Sequence, residues 1–217
     1  MTRNAVRCGG LLGAVAGLML GSALSARAEG EGFYFNGSLG GSFAEKVDVK
    51  EFLGALSNVR VKLDPGVHVG AAAGYNFTHW FGVELETGIL ANNIDKLGTS
   101  SPDAALSHVP LMANVMLRYD TGSLPVIPYI GAGIGGDSSI LVIDDSLGVD
   151  GADADLVFAY QFMAGLRYRI NDRMSAGLGY KFYHADGGSW EVERSSGRIR
   201  FGEATVHALS AVFNWRF

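Results

Sequence analysis

The stretch Leu156-Val157-Phe158-Ala159-Tyr160-Gln161-Phe162-Met163-Ala164-Gly165-Leu166-Arg167-Tyr168-Arg169-Ile170 decides the fold. Leu156, Phe158, Tyr160, Phe162, Ala164, Leu166, Tyr168 and Ile170 fall on one face, and Val157, Ala159, Gln161, Met163, Gly165, Arg167 and Arg169 on the other. A period of two marks an extended strand, whose successive side chains point to opposite sides. About fifteen residues is long for a strand of a soluble sheet, where three to ten are usual. Asn171-Asp172-Arg173 then supplies a tight turn. The next segment repeats the division, with Met174, Ala176, Leu178, Tyr180 and Phe182 opposite Ser175, Gly177, Gly179, Lys181 and Tyr183.

Outward from this hairpin, six more alternating segments are expected near residues 33–40, 67–77, 80–90, 108–119, 126–135 and 205–217. Their connections alternate in length: short at 78–79, 120–125 and 171–173, long at 41–66, 91–107, 136–154 and 184–204. Hydrocarbon offers no partner to a free backbone N–H or C=O, so a sheet that crosses it has to close on itself. Antiparallel strands of about ten residues, with short turns at one end and long loops at the other, meet that requirement. The pattern predicts an all-β chain, an eight-stranded antiparallel up-and-down transmembrane β-barrel. A soluble lipocalin-like barrel would keep its large apolar side chains in the lumen, whereas the face opposite them here is small and polar.

Composition agrees. Of 217 residues 48% are hydrophobic, which excludes a disordered chain, and the 31 glycines follow no three-residue period, which excludes collagen. No apolar run reaches the ~20 residues of a membrane-spanning helix. Residues 1–28 read as a cleaved signal peptide: Arg3 and Arg7 precede an apolar stretch from Gly9 to Leu24, and Ala26 and Ala28 take the small-residue positions before the cut. Cleavage would leave a barrel domain of residues 29–217. It removes three arginines and no acid, so the net charge moves from −5 to −8, and the single cysteine, Cys8, leaves with it. Cys8 lacks the context of a lipoprotein site, and no lipid anchor is expected. The negative charge argues against a nucleic-acid partner, which needs a clustered basic face. Walker, Cys-x-x-Cys and His-Glu-x-x-His patterns are absent, and no cofactor is expected.

Five blocks carry a resemblance: His68-Val69-Gly70; Trp80 through Gly88; Val109-Pro110-Leu111-Met112; Pro128 through Gly135; and Ala164-Gly165-Leu166-Arg167-Tyr168. Their order and spacing over residues 33–217 resemble the OmpA-like, opacity-type family of outer-membrane β-barrel proteins. The resemblance implies a Gram-negative outer membrane and a surface or envelope-structural role, with outer-membrane lipid and lipopolysaccharide as surroundings. The sequence departs from OmpA itself in stopping with its last strand, so a peptidoglycan-binding domain is not expected. Leu209, Ala211, Phe213, Trp215 and Phe217 alternate to the carboxylate. This resembles the terminal signal read by the barrel-assembly machinery, carried by Phe213, Trp215 and Phe217, and equally fits a plain lipid-facing last strand.

Parity sends His68, Glu84, Glu86, Asn114, Arg118, Gln161, Arg167, Arg169, Lys181, Asn214 and Arg216 into the lumen. Eight strands leave a lumen just wide enough for side chains to fill. A structural charge network of Glu84, Glu86, Arg118, Arg167, Arg169, Lys181 and Arg216 is therefore expected, with both glutamates facing Arg118 and with Arg167, Arg169 and Arg216 crowded at the periplasmic end. A narrow ion pathway is the alternative. Eleven glycines share the inward face and only Gly37 lies outside, which makes room for the charged groups. Trp80, Phe81, Tyr119, Tyr168, Trp215 and Phe217 form one interfacial girdle, and Tyr183 and Trp190 mark the other.

The long loops would carry partner specificity, including any host or extracellular ligand. Asp137, Asp144, Asp145, Asp150, Asp153 and Asp155 read as a solvated acidic loop rather than a metal site, because their order is not that of an EF-hand. Arg194, Arg198 and Arg200 would meet lipopolysaccharide phosphates, for which the guanidinium fork is suited. Residues 50–56 could form one or two helical turns. Catalysis is not expected. A lipid-A deacylase would need His184 to work with Ser189 and with Asp186 or Glu203, and the spacing does not match that family. The sequence thus predicts a monomeric outer-membrane barrel with an envelope-structural or surface-interaction role, a small low-conductance porin being the second reading and a lipid-A enzyme the third.

Overall fold

A computed structural model describes residues 31–45, 47–52, 55–97, 104–143, 155–187, 189–191 and 198–217; side chains are described at 31–45, 64–92, 107–138, 156–187 and 202–217. The segment read as a signal peptide lies outside the described residues. The strands are β1 (Gly32–Ala44), β2 (Val47–Phe52), β3 (Ala55–Leu63), β4 (Gly66–Asn76), β5 (Phe81–Leu97), β6 (Ala104–Arg118), β7 (Val126–Ile143), β8 (Asp155–Arg169), β9 (Met174–Ala185), β10 (Ser189–Glu191), β11 (Arg198–Phe201) and β12 (Ala204–Arg216). Eight of them, β1, β4, β5, β6, β7, β8, β9 and β12, close into an antiparallel barrel. First and last strands seal it, from Tyr34 opposite Arg216 to Ala44 opposite Val206. No edge is left unpaired around the barrel, as an apolar solvent demands.

Alternation places the side chains as the sequence predicts. Leu39, Leu85, Leu111, Ile134, Leu178 and Leu209 stand on the outer face, all more than half exposed. Apolar surface costs about 25 cal/mol per Å² in water, and so continuous a belt is stable only against lipid. At the end with short turns an aromatic chain runs Phe33–Tyr75–Phe77–Phe81–Trp80, with ring centroids 5.0 to 5.7 Å apart. Of these rings Trp80 and Phe81 belong to the expected girdle, and Phe33, Tyr75 and Phe77 lie beside them.

The departures lie at the opposite end. The barrel strands run further than their apolar alternation indicates: β5 has 17 residues and β7 has 18, where about ten cross a bilayer. Above the membrane the outward residues need no longer be apolar, so the hydrophobic signal fades before the ladder does. Of residues 50–56, expected as helical turns, 50–52 and 55–56 instead belong to the antiparallel pair β2–β3, with Glu51 opposite Leu56 and Phe52 opposite Ala55, while 53 and 54 lie outside the described residues. Strand β3 pairs with the end of β5, and β2 pairs with β11, which carries β10. The open backbone of β5 above the barrel offers ladder hydrogen bonds that a single helical turn cannot use. Gly37 is also not alone outside. The lengthened strands add Gly41 beside Phe43 and Gly136 beside Leu156.

On the inner face, glycine answers close approach. A Cβ at Gly177 would strike the Leu166 carbonyl and the Arg167 backbone of the neighbouring strand, whereas one at Gly37 would meet only the Phe35 ring at 3.7 Å. Gly177→Val should therefore destabilise the refolded barrel by about 1–3 kcal/mol. Gly37→Val should change it by less than about 0.5 kcal/mol, and urea midpoints in detergent distinguish the two.

Candidate functional site

The lumen is where the sequence places its chemistry. At mid-height, Glu86 on β5 accepts hydrogen bonds from Gln161 Nε2 at 2.7 Å and Asn114 Nδ2 at 2.9 Å, and pairs with Lys181 from the far wall. Gln161 also donates to Asn114 Oδ1 at 2.8 Å. Glu84 accepts from Asn114 at 3.2 Å and from the Tyr34 hydroxyl at 3.0 Å. Gly133 makes this cluster fit, because a Cβ there would overlap the Asn114 amide. The expected pairing of both glutamates with Arg118 does not occur. Register is the reason: Glu84 stands opposite Asn114, so Arg118 lies two inward positions lower, where it donates to Asn76 and covers the Tyr34 ring at 5.3 Å.

Below this layer Arg167 lies over the Tyr129 ring at 4.7 Å. At the mouth, Asp120 binds both Arg169 and Arg216, the latter at 2.6 Å, and accepts the Gly122 N–H at 3.2 Å. Asp120 was not anticipated, since it belongs to the turn between β6 and β7, and only closure brings β8 and β12 to it. Burial raises the Asp120 pKa, but hydrogen bonds from Arg216 and Gly122 and the charges of Arg216 and Arg169 outweigh it and hold the carboxyl below its usual value. Above the middle layer, His68 Nδ1 sits 2.8 Å from Ser210 Oγ, and His108 Nδ1 lies 2.6 Å from Asp137 Oδ2.

Two expectations change here. Asp137 is fully buried rather than part of a solvated loop, because β7 continues past it to Ile143. Tyr183 is equally buried and belongs to no girdle, since its parity turns it inward with Lys181. The same parity would have identified Tyr34, His108 and Tyr129. A cavity of about 30 Å³ at mid-lumen is bordered by Asn36, Ser38, His68, Glu86, Lys181 and Ser210, which is room for one or two waters.

On the outer rim, His184 Nδ1 lies 3.1 Å from Thr205 Oγ1, with Glu203 at 3.9 Å, and its ring is 4.9 Å from Tyr160. Glu203 is thus the acid the structure brings to His184, and the hydroxyl there is Thr205. Arg194, Asp144, Asp145, Asp150 and Asp153 lie outside the described residues. Asp155, Ser189, Trp190, Arg198 and Arg200 are placed in strands, their side chains outside the described set. Phe213, Trp215 and Phe217 face outward. Among the described residues no group of three or more His, Cys, Asp or Glu is arranged to hold a metal.

Removing one partner of a buried pair strands the other charge. Lys181→Met should cost about 3–5 kcal/mol, and adding Glu86→Gln should restore most of it; equilibrium unfolding of the single and double variants checks this. Because the Asp120 pKa is depressed on folding, its stabilisation is complete above the ordinary aspartate value of about 3.9 and is lost as pH falls through the lower folded value. Acid unfolding curves of the wild type and Asp120→Asn should therefore converge at the acid end and separate above it.

The family described as outer membrane protein beta-barrel domain matches residues 13–217. Among solved structures, the chain is similar to Neisserial surface protein A (NspA) at 16% identity and a TM-score of 0.55, over 85% of this chain and 97% of that one. It is also similar to the outer membrane protein OprG from Pseudomonas aeruginosa at 14% identity and a TM-score of 0.61, over 86% and 98%. At such identity the likeness speaks for the fold. Comparison with curated proteins finds no match.

Proposed function

The chain belongs to the outer membrane protein β-barrel domain family and is an outer-membrane protein, and from that premise we propose that it serves as a non-conducting scaffold presenting an extracellular surface. The observation that carries this reading is the filled lumen. The hydrogen-bonded layer of Glu84, Glu86, Asn114, Gln161 and Lys181 spans the barrel and leaves space for little more than water. Barrels that leave an aqueous channel are built from about sixteen strands or more. The opposing cost is large: an ion passing this layer would have to break charge-assisted bonds in a space of low dielectric.

The extracellular side supports the second half of the reading. Strands β5 and β7 carry seven or eight residues beyond the ten that span hydrocarbon, and the pair β2–β3 with β10 and β11 extends the sheet from β5. A hydrogen-bonded platform of this kind holds loops at a fixed height above the lipid. Arg194, Arg198 and Arg200 belong to the loop that includes β11, where their charge suits lipopolysaccharide phosphates. The barrel acts as a monomer, inserted by the barrel-assembly machinery through its outward Phe213, Trp215 and Phe217, and without an enzymatic step.

In planar bilayers the refolded protein should be silent. A steady unitary conductance with the barrel intact would replace this reading by the porin one. Reversing the charge of Arg194, Arg198 and Arg200 together should lower the lipopolysaccharide that co-purifies; an unchanged amount removes these residues from the interface.

A further inference from the structure

Among the described residues, the lower lumen holds four guanidinium groups and one carboxylate that forms an ion pair with any of them. Asp120 serves Arg169 and Arg216. Arg118 and Arg167, both more than nine-tenths buried, make no ion pair among the described residues. Arg118 has Asn76 and the Tyr34 ring as partners, and its Nε has none. Arg167 has the face of Tyr129, and among the described residues its Nε likewise lacks a hydrogen-bond partner. Glu84 is near enough for its charge to act on both arginines, yet its oxygens are taken by Tyr34 and Asn114.

Arginine cannot shed its proton to escape this situation, as a buried lysine can. Two permanent cations in an enclosed space, with Arg216 close enough for its charge to reach both, share Glu84, which acts on them without an ion pair, and so call for a further counter-charge. The outlet for one is present. Arg216 also lines a vestibule of about 410 Å³ at the periplasmic mouth, together with His79, Asp120, Arg169 and Asp172. Arg216 thus stands between the vestibule and the two buried guanidiniums, its charge reaching both.

We propose that the periplasmic half of the lumen is a binding site for a small inorganic anion of the halide or phosphate class, held by the buried guanidiniums of Arg167 and Arg118 with Arg216 at its entrance. The aromatic faces of Tyr129 and Tyr34 fix the two inner guanidiniums by cation–π contact and leave their N–H edges for the ligand. The site is a dead end, because the Glu86–Lys181 layer lies above it. It is compatible with the non-conducting reading but does not depend on it.

The Nε–Hε signals of Arg118 and Arg167 in the refolded full barrel test this by NMR, with sodium chloride titrated against sodium gluconate at matched ionic strength. Gluconate is too bulky for a lumen already filled by side chains. Both signals should shift saturably with chloride and stay in place with gluconate, and in Arg167→Gln the Arg118 signal should lose its saturable response. Equal shifts in the two salts, or shifts that rise linearly without saturation, overturn the site. The wild-type titration gives this answer by itself if Arg167→Gln fails to fold.

Discussion

Every feature of this protein depends on one constraint: in hydrocarbon, each backbone N–H and C=O must find its partner within the sheet. The pairing of β1 with β12, first strand with last, meets it for the final edge. Closure then determines the rest. It inverts the usual distribution of side chains, putting Leu85, Ile134 and Leu178 outside against lipid and Glu86, Arg118 and Lys181 inside. It also fixes the radius, since eight strands enclose a space only wide enough for side chains.

That narrow interior turns composition into architecture. Where one strand presents a large polar side chain, the strands beside it present glycine, as with Asn114 against Gly133 and Tyr129 against Gly165 and Gly179. Glycine ordinarily weakens a strand. Here the loss is offset because bulk at those positions would displace the hydrogen-bonded groups that keep buried charge tolerable. The arrangement is uneven along the axis: the middle layer sets Glu84 and Glu86 against Lys181, while the periplasmic layer is rich in guanidinium.

The outward end follows different physics. Once strands leave the hydrocarbon, water can satisfy the backbone and the loops need no ladder, yet the sheet continues through β2, β3, β10 and β11. A rigid platform suits a protein that presents a surface better than loose loops would, since ordering on contact costs conformational entropy.

By itself the sequence determined the eight barrel strands, the barrel class and which of their side chains face inward, because a period of two survives any detail of packing. Leu156 to Ile170 alone separates lipid from lumen. It also made Glu84, Glu86, Arg167 and Lys181 legible as interior charges. Only the tertiary structure decided who meets whom. Lys181 reaches Glu86 across the barrel, Asp120 gathers Arg169 and Arg216 from strands remote in sequence, and Asp137 is drawn out of an apparent loop into the lumen. Parity is a property of one strand and can be read locally. Register, stagger and closure relate strands to one another, and the distances that make a charge paired or unpaired exist only once the sheet has closed.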